Sequence, residues 1–148
     1  MNMALAFRQD VGFNFRHVIA RVTGAPVHVA LCFGDAVVIE ADGSAVRQIT
    51  RAQRFAAGEW VIVPCDVDEV QADIAFTYAR RQIGKGYDWW GVLFAWWAGR
   101  PAGNGVSNRW FCSELAAACL MAAGVRMSCD RAAYFTPRRL FDWCAPWR

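Results

Sequence analysis

The chain has 148 residues, 56% of them hydrophobic, with eight tryptophans and a formal net charge of +3. Such a length suggests one domain, 1–148, able to bury roughly 68–70% of its unfolded surface without staples, and the apolar content excludes a disordered chain. The basic residues are scattered, and Lys85 is the single lysine, which excludes a nucleic-acid partner read through a basic patch.

Met1 to Phe7 is apolar but is followed at once by Arg8 and Asp10. It lacks a long apolar core and a cleavage pattern, so no signal peptide is expected, and a cytoplasmic location is the default. In residues 14–23, Phe15, Val18, Ile19 and Val22 fall at helical spacing, with Gly24 as the stop and His17 on the polar side. Val27 to Phe33 is β-rich and apolar on both faces, which predicts a central strand. His28, Ala30 and Cys32 share one face of it. His28 is the sole ionisable side chain there, and the small residues beside it leave room for a helix end to approach. Ala36–Ala41 returns as a second strand carrying a lone Glu40, Ala45–Ile49 makes a third, and Gly58–Cys65 a fourth. The first half therefore reads as an antiparallel sheet built from hairpins.

The period then changes. Asp66 or Asp68 can cap a helix running to about Ile83. Tyr87 to Trp97 reads as a further buried helix, and no apolar run reaches the length of a bilayer span. Residues 99–108 form a glycine-rich loop that either flanks a groove or is a plain linker. Cys112 to Leu120 is a helix ending near Gly124, and Thr136-Pro137 opens a short last helix.

Six cysteines stand at 32, 65, 112, 119, 129 and 144, without a C-x-x-C pair. No metal site or cofactor is expected, and reduced thiols are the default. Cys112 differs from the rest by its position. At the first turn of a helix a sulfur faces unpaired N–H groups and the positive end of the helix dipole, both of which favour thiolate. The competing reading is one more small core residue. A nucleophilic thiol needs a base and a group to orient that base, and His28 and Glu40 are the candidates. Their meeting sets a condition on the hairpin between them. A two-residue loop puts Glu40 on the wrong face, whereas a loop of three or five residues puts both side chains on one face. An odd loop is therefore predicted.

His28 in "PVHVALCFGD", Glu40 in "VVIEADG", Tyr87 in "GKGYDWWG" and Cys112 in "WFCSELAAACL" together resemble the circularly permuted branch of NlpC-type papain-like hydrolases. That branch includes YiiX-like bacterial proteins and is related to the lecithin retinol acyltransferase family. In it the histidine strand comes first and the cysteine helix last. The resemblance covers roughly residues 15–143 and implies a papain-like α+β fold, an antiparallel sheet packed against helices. It implies Cys112 as nucleophile, His28 as base and Glu40 as the orienting third member, with the Cys112 N–H in an oxyanion hole. Tyr87 and Ser113 become candidate substrate or oxyanion groups. Ser113 is also expected to support the helix start, and Glu114 to pair with an arginine.

The leading expectation is a cysteine peptidase or amidase working through a thioester on a small peptide substrate, with cell-wall peptide amides favoured by the resemblance. A second reading keeps the triad but directs it at lipid esters or acyl chains. Its motive is the aromatic cluster at 89, 90, 94, 96 and 97, which also suits peripheral lipid contact or plain core. A third is a non-catalytic binding or virion module on the same scaffold. A cell-wall substrate would require a route out of the cytoplasm or carriage in a virion. Oligomeric state is not legible.

Overall fold

The computed structural model describes residues 1–9, 26–89 and 108–147. The expected helix at 14–23 with His17, nearly all of the glycine-rich loop, and most of the helix expected at 87–97 lie outside them.

Among the described residues, five strands form one antiparallel sheet in the order β4-β3-β2-β1-β5. They are β1 (Met3–Arg8), β2 (His28–Phe33), β3 (Val37–Ala41), β4 (Val46–Thr50) and β5 (Trp60–Pro64). As expected, β2 is central and every residue of it is buried. β1 is an addition to the sequence reading. Met3, Leu5 and Phe7 alternate into the core, but the run is short and sits where a leader peptide is usually sought. Its presence also changes the place of β5. Rather than closing a hairpin on β4, β5 crosses to the far edge and pairs with β1, Ala6 opposite Ile62.

Four helices are described: α1 (Arg51–Arg54), α2 (Glu69–Arg80), α3 (Cys112–Ala122) and α4 (Pro137–Trp143). Capping residues set their starts. Thr50 and Gln53 make a reciprocal capping box on α1, and Asp68 and Gln71 make another on α2. Thr136 caps α4, with Pro137 at its first position. α2 buries a narrow alanine stripe, Ala72, Ala75 and Ala79, while Val70 stays 68% exposed. Small residues there bring α2 close to α3. The helices α2, α3 and α4 share a core with Leu5, Phe7, Val29, Leu31 and Phe33. On the other face, Ala6, Ala30, Cys32 and Val38 pack with Phe55 and Trp60.

Tyr87 does not begin a helix. Gly86–Tyr87 is a two-residue strand, β6, paired in parallel with β7 (Arg109–Trp110). The preceding turn is anchored to β4, because the Val46 N–H donates to the Lys85 carbonyl and the Gly84 N–H to the Val46 carbonyl. β4, the turn and β7 thus form a continuous frame leading into α3. The whole is a small single-domain α+β fold, and no described helix is long and apolar enough to cross a membrane.

Candidate active site

The β2–β3 hairpin pairs Phe33 with Val37 and Leu31 with Ile39. Its loop is therefore Gly34-Asp35-Ala36, the three-residue case of the odd loop required. Gly34 takes a φ of +57° there, a conformation that costs a side-chain-bearing residue. α1 fastens the loop from behind. The Arg51 N–H donates to the Ala36 carbonyl, and its guanidinium to the Gly34 carbonyl at 3.1 Å. Continuing this register sets Glu40 opposite Ala30, diagonal to His28 on the same face. The two side chains meet, with His28 Nε2 2.8 Å from Glu40 Oε2, and both are buried.

Cys112 is the first residue of α3, after Phe111 as the N-cap. It hydrogen-bonds His28 through their side chains, and its sulfur also takes backbone hydrogen bonds at Val29 and Ser113. Since Glu40 occupies Nε2, Nδ1 is the ring nitrogen left for the sulfur. The end of α3 reaches His28, but the body of α3 does not cover the small residues Ala30 and Cys32 beside it. It lies over Val29, Leu31 and Phe33, while Phe55 and Trp60 cover the small residues. His28 and Cys112 meet because His28 is the first residue of β2, where the strand enters the sheet and its side chain reaches round the end.

The electrostatics of the three groups agree with each other. Burial pushes the Cys112 thiol up, but the charge and hydrogen bond of His28, with the backbone donors, outweigh it and hold the thiol below its ordinary value. Burial pulls His28 down, but Cys112 and Glu40 together raise it above the usual imidazole value. Glu40 resists its own burial through His28, Arg54 and Arg47, and its carboxyl is lowered. All three shifts run in the direction that favours a thiolate beside an imidazolium, backed by a carboxylate.

Sequence reasoning missed the two arginines. Arg47 is the direct cross-strand partner of Glu40, and its Nη2 lies 3.2 Å from Oε1 while also contacting Asp42. Arg54, the last residue of α1, places Nε 2.8 Å from Oε2. Its guanidinium lies 4.7 Å from the centre of a Trp60 ring, and His28 meets Trp60 edge-on at 6.1 Å. Two signals were readable: the capping box Thr50-Arg51-Ala52-Gln53, and the hairpin arithmetic that sets Arg47 against Glu40.

The remaining candidates are placed less centrally. Tyr87 pairs with Trp110, two residues before Cys112, and its ring packs on Trp89 at 4.9 Å. Ser113 is fully buried, yet its hydroxyl makes no hydrogen bond among the described residues. It does not cap the helix, whose N-cap has no side-chain bond. Glu114 pairs with no arginine among the described residues. Burial and the nearby Asp88 push its carboxyl up to about 7, partly offset by a hydrogen bond from the Phe111 N–H. Burial pushes Cys32 up to about 11 and raises Cys65 and Cys119 further. Among the described residues, no group of three or more His, Cys, Asp or Glu side chains is arranged to hold a metal ion. No protein-family model matches the chain, and no curated protein matches it.

Proposed function

We propose that this protein is a cysteine hydrolase of the permuted papain-like, NlpC type, acting by acyl transfer through Cys112. The observation that carries the reading is the bonded series Cys112–His28–Glu40, with the thiol lowered although it is buried. Three of the six cysteines are driven the other way by burial.

In the proposed reaction the Cys112 thiolate attacks a carbonyl carbon, forming a C–S bond and a tetrahedral oxyanion. The Cys112 N–H, in the first turn and without an intrahelical acceptor, is the donor offered to that oxyanion. The His28 imidazolium gives its proton to the leaving nitrogen as the C–N bond breaks. Neutral His28 then takes a proton from water, which attacks the thioester carbonyl and releases the acid and the thiol. Glu40 holds the ring orientation throughout and stays ionised. The sequence resemblance favours peptide amides of cell-wall type as substrates.

Brief iodoacetamide treatment of the native protein near pH 6, followed by peptide mass spectrometry, tests the reading. Cys112 should carry the label first, and Cys112→Ala should abolish hydrolysis across a panel of muropeptides and acyl esters. Faster labelling of Cys32 or Cys129, or a thiol profile inert at neutral pH, would overturn it in favour of a binding module.

A further inference from the structure

Glu40 is enclosed, yet three cationic or potentially cationic groups converge on its two oxygens: His28 and Arg54 on Oε2, Arg47 on Oε1. From this convergence we propose that Arg54, assisted by Arg47, is a positioning residue that fixes Glu40 and sets the pH range over which Cys112 and His28 exist as a charged pair. The proposal rests on the reading of those two residues as nucleophile and base.

The balance of charge supports it. Asp42 contacts Arg47 and shares its charge, so Arg54 bears the larger part of what the two arginines oppose at Glu40, which His28 opposes as well. The two arginines differ in weight. The Arg54 side chain is 12% exposed and stacked on Trp60, whereas Arg47 is 45% exposed and more strongly screened. Among the described residues, three other groups bear on the site. Cys32, on β2, also feels Glu40 and Arg51 but stays a thiol. Arg8, on β1, faces the Trp60 ring at 5.9 Å. From α3, Cys112 enters, through His28.

Removing the Arg54 charge leaves Glu40 less balanced. A nearby negative field disfavours the thiolate and favours the imidazolium, so both titrations should move to higher pH. A change in a neighbouring charge in a partly buried site moves a titration by about one pH unit.

The measurement is the rate of Cys112 alkylation by iodoacetamide from pH 4 to 10, read by mass spectrometry on the full-length protein. Arg54→Gln should move the low-pH limb about one unit upward, and Arg54→Lys, which keeps the charge, should restore the wild-type profile. Arg47→Gln should shift it the same way by less, and it serves as the deciding variant if Arg54→Gln does not fold. An unshifted Arg54→Gln profile, or equal shifts in Gln and Lys variants, would overturn the charge role. If the wild-type protein shows no thiolate limb below the ordinary thiol range, the nucleophile reading itself fails, whatever Arg54 does.

Discussion

Two glutamates are buried within this small domain, and they are opposites. Glu40 sits on β3 among His28, Arg47 and Arg54, and its carboxyl is lowered. Glu114 sits two residues beyond Cys112 on α3 against Asp88, and its carboxyl is pushed up to about 7. Burial costs both of them; only the neighbours differ. The Glu40 surroundings supply more cations than anions, so a charge is kept where it can orient a base. Around Glu114 a second carboxyl takes the cation's place, and its Oε2 has no hydrogen-bond partner among the described residues. Near neutral pH that group spends much of its time as a neutral acid, binding the Phe111 N–H at the start of the helix. One carboxyl acts as an ion beside the nucleophile, and the other acts as a polar peg that holds the nucleophile's helix.

The same substitution at both sites should therefore have opposite signs. Glu40→Gln removes the anion between an imidazole and a buried guanidinium, and breaking such a pair costs about 3–5 kcal/mol. Urea unfolding at pH 7 should show a loss of about that size. An unchanged midpoint would mean that Arg54 and His28 find other partners. The wild-type dependence has a definite sign. The folded-state carboxyl of Glu40 lies below its unfolded value, so its contribution is present above the ordinary carboxylate range and is lost on acidification.

Glu114 runs the other way. Its folded-state value, about 7, lies above the unfolded value of 4.5. Stability linked to it is complete below about pH 4.5 and is lost as pH rises toward 7, when the fold must hold an unwelcome charge. Glu114→Gln keeps an acceptor for the Phe111 N–H without that charge. At pH 8 the variant should be more stable than wild type by about 2–3 kcal/mol, and near pH 4.5 the two should coincide. Unfolding curves that differ by the same amount at both pH values would remove the titration account and leave a packing effect.

The contrast also marks where sequence reasoning succeeds. Local rules located the central strand, a cap at Asp66 or Asp68 of which the structure uses Asp68, the Thr136-Pro137 start and the left-handed Gly124 after α3, whereas the odd hairpin loop followed from requiring Glu40 to reach His28. His28 and Glu40 could be joined because a hairpin register is counted along the chain. What failed needed distant partners. β1 and the crossing of β5 to it depend on strand order, which no local pattern encodes. α3 packs on the face opposite the one covered by Phe55 and Trp60, residues far from it in the chain. Glu114 was matched to an arginine because buried carboxylates are usually paired, and the ordering of β6 beside β7 brings Asp88 instead.

The smallest effect expected is at Ser113, between the nucleophile and Glu114. Its hydroxyl is fully buried and makes no hydrogen bond among the described residues, and an unmade buried hydrogen bond costs a group its solvation with nothing in return. Ser113→Ala removes the oxygen while keeping the backbone N–H that serves the Cys112 sulfur. The variant should gain up to about 1 kcal/mol in thermal or urea unfolding, with the pH profile of Cys112 alkylation unchanged. Turnover then separates two explanations for keeping the hydroxyl. If kcat falls while stability rises, the oxygen serves the bound acyl group, and its cost is borne in the resting protein. If kcat is unaffected, the hydroxyl has no part in the chemistry, and the neighbourhood of Cys112 works through backbone donors, one imidazole and the carboxylate behind it.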